Sequence, residues 1–399
     1  MSRRGELDVV VVGAGVAGSA MALALVGAGF DVALVEARAP ATWQATDEVD
    51  ARVVALAADS VGLLDGLGVW NAVSAARASP YRYMRVWDAL APGQLDFDAA
   101  DRGEAALGWI VENRLLQHVL WQALGAPADG GNPARLLCPA EVVEVENEGA
   151  AVTVGLADGT RLRARLLIAA DGAASPIRQR LGIATRDRDY GQRAIVAHVG
   201  TERGHEATAW QRFQPGGPLA FLPLADGRSS IVWSLQSAEA DRLLALDDDA
   251  FRGELGCALD FRLGAITSVT RRYAFPLHMR LAERYVCGRC VLIGDAAHAV
   301  HPLAGQGLNL GLRDVANLGA QLARARQRGS DPGAAHVLRR YERERRSENT
   351  LAARGLDLIE RSFGSDLMPL GGLRGLALAA ANRLPPLKRL LGDAAAGRW

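Results

Sequence analysis

Residues 8–36, DVVVVGAGVAGSAMALALVGAGFDVALVE, decide the fold. Four consecutive valines read as a buried strand, Gly13, Gly15 and Gly18 as a tight turn, and the alanine- and leucine-rich run as a helix; DVALVE is a second strand. Together they make a complete βαβ unit. Glycine at those positions lets the backbone approach a pyrophosphate at the helix N-terminus, where free N–H groups and the helix dipole favour an anion. Glu36 ends the second strand, where a carboxylate accepts hydrogen bonds from ribose hydroxyls and repels a 2′-phosphate. The unit predicts FAD or NAD in preference to NADP.

The bulk numbers bound the rest. A chain of 399 residues with 49% hydrophobic content has room for two domains or one large α/β domain. Its 45 basic and 45 acidic residues cancel, so no global field draws nucleic acid or an anionic membrane. Lys388 is the only lysine, which removes catalytic lysine chemistry from the rest of the chain. The N-terminus runs from a short polar lead into a strand with no apolar signal segment, which predicts a cytoplasmic protein. No apolar run reaches the roughly 18 residues of a membrane span, the C-terminal one being broken by Arg374, Arg383 and Pro385-Pro386. Four cysteines suit a reducing compartment. Cys287 and Cys290, with His298 and His301 behind them, invite a zinc reading, but VLIGDA between the pairs reads as a buried strand that holds them apart. They are expected to be packing cysteines, and no metal site is predicted.

The predicted fold class is α/β: a Rossmann-like domain with an inserted mixed or antiparallel β-sheet substrate domain and C-terminal helices. Residues 1–79, 102–183 and 284–330 form the discontinuous nucleotide-binding domain. Residues 80–101 and 184–283, with the alternating stretches AIVAHV, AFLPLA, SSIVWSL and RRYAFPL, form the substrate domain. Residues 331–399 form the helical region. Residues 47–75 read as a loop and then a helix, and 108–124 as a strand end feeding a helix. A helix from Leu308 carries Leu308, Leu312, Val315, Leu318 and Leu322 on one stripe. The next, over 333–362, carries Arg340/Glu344 and Glu342/Arg346 at i, i+4, an ion-paired solvated face rather than a nucleic-acid surface.

Two further motifs carry chemistry. In LLIAADGAASPIRQRLG, Asp171-Gly172 close a strand and Ser175-Pro176 cap a helix; a dinucleotide contact and a buried structural turn both fit. In VLIGDAAHAVHPLAGQGLNLGLRD, Gly294-Asp295 at a strand end suit a carboxylate that binds sugar-like hydroxyls. Pro302 then leads a glycine loop into the helix. Backbone N–H groups of Gly305, Gln306, Gly307 and Leu308, with the positive helix end, face an electron-rich planar edge such as the N1/C2 side of a flavin, which becomes anionic on reduction. His298 is a candidate general base, with an orienting or core role as the alternative; His301 is the weaker of the two. No GxSxG motif is present.

These three motifs, in this order and spacing, resemble the aromatic-ring hydroxylase class of flavin monooxygenases, with the fold of p-hydroxybenzoate hydroxylase. DARVVAL, LLDGLGVW, WIVENRLLQHVLWQAL, AFLPLADGRSSIVWSL and LRRYERERR extend the likeness to the ubiquinone-biosynthesis hydroxylases over almost the whole chain. SIVWSL, DFRLG and LRRYERERR lean toward members that hydroxylate 2-polyprenylphenol at C5. The resemblance implies FAD, with Gly13, Gly15, Gly18 and Glu36 at its ADP half and Gly294 and Asp295 at the ribityl chain. Arg52 would lie by the isoalloxazine and Arg114 and Gln117 by the pyrophosphate. Asp171 and Gly172 match a motif linked to FAD and NAD(P)H, and Pro302, Gly305, Gln306, Gly307, Leu308 and Asn309 would line the ring. It further implies that NAD(P)H reduces FAD, that O2 forms a C4a-hydroperoxide, and that its distal oxygen attacks an electron-rich phenol. His298, Pro302 (through a backbone carbonyl near it) and Arg52 are the catalytic candidates. The C-terminal stretch DLMPLGGLRGLALAAANRLPPLKRLLG would lie on the inner membrane or a biosynthetic partner, or pack on the protein's own core. A soluble phenolic acid as substrate and a non-enzymatic FAD-binding scaffold are the rival readings.

Overall fold

The computed structural model describes residues 6–90, 93–125, 133–300 and 306–364. At its centre the valine strand Leu7–Val12 runs parallel to two neighbours, Val10 pairing with Leu167 of Arg161–Ala169 on one side and with Ala33 of Val32–Val35 on the other. Val9, Val10 and Val11 are fully buried, which is why the run carries no polar alternation. Cys290–Leu292 and Arg135–Leu137 extend the sheet in parallel, and the hairpin Val142–Glu148/Ala151–Leu156 joins it antiparallel. The helix Val16–Gly27 packs against the helices Asn113–Gly125 and Gln306–Gln327.

A small three-stranded antiparallel sheet of Val53–Leu56, Gly108–Glu112 and Ala78–Tyr81 lies between this body and the larger sheet. The segment 47–75, read as loop and helix, therefore contains a strand before its helices Ala58–Gly66 and Trp70–Arg77. Four residues, VVAL, are too short to show a period.

The nine-stranded sheet takes its strands from 83–98, 185–282 and 298–299. It is mixed: its pairings are antiparallel except that of Thr208–Phe213 with Tyr83–Asp88. One face carries a core of Trp87, Trp210, Phe221, Ile231 and Trp233, closed by Phe251 and Leu255. Those last two belong to a helix, Asp248–Ala258, which follows another, Ser237–Ala245, inside a region whose pattern reads as strand. Asp247 caps the second helix by accepting from the Ala250 N–H at 2.8 Å.

The helix Gln306–Gln327 buries Leu310, Leu312, Val315, Leu318 and Leu322. Gly311 allows a close approach, since a Cβ there would lie 3.3 Å from Gly294 Cα. The helix Ala335–Gly364 buries Leu338, Tyr341, Arg345, Asn349 and Ala353. Arg340 pairs with Glu344 at 3.0 Å as read from the sequence, but Glu342 turns inward and accepts from the Tyr285 N–H at 2.7 Å and the Val286 N–H at 3.3 Å. CGRC is a hairpin turn with Cys287 paired to Cys290. Among the described residues no three metal-ligating side chains converge, and no helix is long and apolar enough to cross a membrane.

Candidate active site

The three glycines of the first turn do different work. Gly13 has φ +102°, and a Cβ on it would stand 2.4 Å from the Ala170 carbonyl oxygen; one on Gly18 would stand 1.9 Å from that of Gly13. Both are demanded by the protein's own backbone. Gly15 is not: among the described residues no atom lies within 4 Å of its would-be Cβ, and as N-cap it offers no side chain to the helix N–H groups. An open, uncapped helix N-terminus is an anion site. The Ala14 peptide is clamped beside it, donating to Glu36 Oε2 at 2.5 Å and accepting from Gln117 Nε2 at 2.9 Å. Glu36 Oε1 accepts from the Arg38 N–H at 3.1 Å. Arg114 pairs with Asp47 at 3.2 Å while its Nε is buried without a partner.

At the second motif Asp171 Oδ1 accepts from Ser175 Oγ at 2.5 Å and Oδ2 from the Ile177 N–H at 3.0 Å, and Ser175 Oγ caps Arg178. Burial raises the Asp171 carboxyl, and these donors partly offset it. Asp171 thus ties its turn to the helix Pro176–Arg180, whose buried Arg178 donates to Ala296 O at 2.8 Å. Gly172, at φ +83°, faces open space.

The third motif is held by a network the sequence reading did not find. Asp314, fully buried, accepts from His298 Nε2 at 2.5 Å, from the Gly294 N–H at 3.0 Å, from Arg345 Nε at 2.8 Å and from Asn349 Nδ2 at 3.1 Å. Burial alone would lift its carboxyl, but His298 and Arg345 win and hold it at about 2. His298 is itself fully buried, its Nε2 held by Asp314 and its Nδ1 without a partner among the described residues. Asn309 is also turned inward, accepting from the Ala57 N–H and Ser60 Oγ and donating to Ala55 O at 2.8 Å. Its side chain pins the glycine-loop helix to the small sheet. Among the described residues, nothing lies nearer to a would-be Cβ on Gly307 than Val300 Cγ2 at 4.0 Å. Leu308 is half-buried, only the backbone of Gln306 is described, and His301, Pro302 and Gly305 lie outside the described residues.

Arg52 joins the two bodies. Its guanidinium stands 5.8 Å from the Phe275 ring on the large sheet, and its charge pulls on the Asp295 carboxyl. Asp295 is crowded enough for desolvation to raise its carboxyl, yet it remains exposed to solvent, which limits that rise. The segment leading to Arg52 is built inward from Glu112, only 2% exposed, which accepts from the Asp50 N–H at 2.7 Å and Trp43 Nε1 at 3.3 Å and pairs with Arg77 at 3.2 Å. His198 Nε2 reaches the Val49 and Asp50 carbonyls at 3.3 and 3.1 Å from the large sheet.

A model of the FAD binding domain matches residues 6–354. The chain is 39% identical to the 3-demethoxyubiquinol 3-hydroxylase of Escherichia coli over 382 residues, covering 96% of each. It is 34% identical to the mitochondrial ubiquinone biosynthesis monooxygenase COQ6 of Homo sapiens, covering 96% of this chain and 90% of that one. The chain belongs to the ubiquinone-biosynthesis flavin monooxygenases. The crystal structure of p-nitrophenol 4-monooxygenase PnpA from Pseudomonas putida superposes with a TM-score of 0.77 over 99% of this chain and 98% of that one at 19% identity, which shows the shared fold.

The residues present in this monooxygenase fit FAD. Among the described residues no atom comes closer than 4.0 Å to a would-be Cβ on Gly15, Gly172 or Gly307, the helix N-terminus at Gly15 is open, and the Asp295 carboxylate is exposed to solvent. His198 gives a prediction of its own. Both its partners are carbonyls, so Nε2 carries the proton, and burial first, then Arg228, lower its pKa below the ordinary 6.5. A histidine held neutral in the fold stabilises fully above 6.5 and loses that contribution as pH falls below it, because only the unfolded chain takes up the proton. His198→Gln is therefore expected to flatten the acid side of the melting-temperature profile; profiles of equal slope for variant and parent would contradict this.

Proposed function

We propose that this flavin monooxygenase hydroxylates the ring of a polyprenylated phenol in ubiquinone biosynthesis, at C5 of 2-polyprenylphenol, with O2 and NAD(P)H as co-substrates. The observation that carries the reading is the wall facing Arg52. Phe275 pairs with Ala194, Tyr273 with Val196, Val196 with Val232 and Val232 with Ala220, so these side chains share one face of the large sheet. Tyr273 and Phe275 remain 39% and 37% exposed, an unusual state for adjacent aromatics on one strand face. Such a surface suits an apolar tail and an electron-rich ring.

FAD, when bound and reduced, activates O2 and supplies the oxygen inserted into the ring. The chain's own residues then have three tasks. Gly15 and Gln117 hold the pyrophosphate end through the first turn, and Glu36 holds the ribose. Asp314 fixes Gly294 and His298, so Asp295 meets the ribityl hydroxyls in one orientation. Arg52 and Phe275 hold the phenol ring beside the flavin and keep water from it. The enzyme works in the cytoplasm against the inner membrane, where the substrate's tail resides. The C-terminal stretch read as a membrane or partner contact lies outside the described residues.

A second reading, hydroxylation at a later ring position, is favoured by the name of the E. coli relative. Mass spectrometry of the lipids that accumulate on deletion of the gene separates them. Unmodified 2-polyprenylphenol is the expected product of the deletion, a demethoxyquinone would select the second reading, and an unchanged quinone pool would sink both.

A further inference from the structure

Arginines outnumber acids on one face of the helix Ala335–Gly364. Arg339, Arg343, Arg346 and Arg354 fall on that face at i, i+4, i+7 and i+15, all exposed and lining one shallow groove together with the half-buried Glu342. Among the described residues none of the four forms an ion pair. The neighbouring acids are committed elsewhere: Glu342 to the Tyr285 and Val286 N–H groups, Glu344 to Arg340 and Asn317, Glu348 to Arg345. Leu351 and Leu358, one heptad apart along the same edge, are 60% and 66% exposed, while the opposite face is locked into the core by Tyr341, Arg345 and Asn349. A rigid helix with a cationic strip and flanking exposed leucines has the composition of an interfacial surface helix.

We infer that this face docks on anionic phospholipid headgroups, the arginines meeting the phosphates and Leu351 and Leu358 entering the acyl boundary. Lipid fits better than nucleic acid, because the exposed leucines have no role on a phosphate backbone and the chain's overall charge is zero. The inference takes from the polyprenylated-phenol reading only the reason for a membrane encounter. Vesicle binding is measured without substrate, so an unchanged quinone pool in the deletion strain would sink that reading and leave this one standing.

The test is co-sedimentation of the full-length, FAD-loaded protein with phosphatidylcholine vesicles, with and without phosphatidylglycerol, at low and high salt. Binding is expected only to the anionic vesicles and is expected to weaken as salt shortens the screening length. Each arginine near such a surface is worth about fivefold in partitioning, so R343E/R346E is expected to lose at least about 25-fold. L351S/L358S is expected to weaken binding with its salt dependence intact. R343Q/R346Q reports the same loss more mildly should the charge reversal fail to fold, and retained flavin absorbance certifies each variant. Equal binding to neutral vesicles, wild-type protein left in the supernatant, undiminished binding by the arginine variants, or binding to DNA without binding to vesicles would each overturn the inference.

Discussion

Asp314→Ala is expected to cost the monooxygenase about 3–5 kcal/mol of stability and most of its bound FAD. The carboxylate is fully buried and gathers four donors from two parts of the chain, Gly294 and His298 from the 294–299 turn and Arg345 and Asn349 from the helix Ala335–Gly364. Alanine leaves Arg345, itself only 3% exposed, with its charge inside the protein and its Nε without a carboxylate. It also releases the Gly294 N–H, and with it the turn that aims Asp295. Thermal unfolding with flavin fluorescence as a second probe reads both effects; a melting temperature within error of the parent would contradict the assignment. D314L/R345L removes both charges together and is expected to cost less than the two single changes summed. The same network sets an acid limit. Held at about 2 in the fold against an ordinary 3.8, Asp314 contributes stability that is complete above 3.8 and is lost as pH falls from there through 2. The contribution is on the order of 2 kcal/mol.

The second large effect separates two glycines that look alike in the sequence. Gly18→Ala puts a Cβ 1.9 Å from the Gly13 carbonyl oxygen, a clash between backbone segments that neither can relieve. It is expected to destabilise the fold by about 3 kcal/mol or more. Gly15→Asp meets, among the described residues, no atom within 4 Å of its Cβ and supplies the N-cap side chain the helix lacks, so the apoprotein is expected to melt at or slightly above the parent temperature. FAD affinity should nevertheless fall by about 100-fold or more, because a carboxylate then stands where the pyrophosphate belongs. Calorimetric titration with FAD checks this; undiminished FAD binding by Gly15→Asp would place the pyrophosphate elsewhere.

Much of this arrangement was legible in the sequence. The valine strand, the glycine turn and the apolar stripe of the glycine-loop helix have periods that local geometry enforces, so the α/β class followed from them. The strand Val53–Leu56 was too short to show a period, and the helices Ser237–Ala245 and Asp248–Ala258 were masked by strand pattern on both sides. The Asp314 network left a sign that went unused. Leu310, Asp314 and Leu318 share one row of a buried stripe, and Tyr341, Arg345 and Asn349 share one row of the next helix. An acid on one buried row and an arginine on another announce a pair between helices. Glu342 left no such sign, because its partners are backbone N–H groups of a distant strand.

The central claim is that this chain uses FAD to place an oxygen atom from O2 on the ring of a polyprenylated phenol. A single turnover tests it most directly: photoreduce the FAD-loaded protein, add 2-polyprenylphenol and isotopically heavy O2, and weigh the product. One heavy oxygen on the ring is the expected result. Reoxidation of the flavin with the phenol recovered unchanged, or a hydroxyl whose oxygen comes from water, would contradict the account.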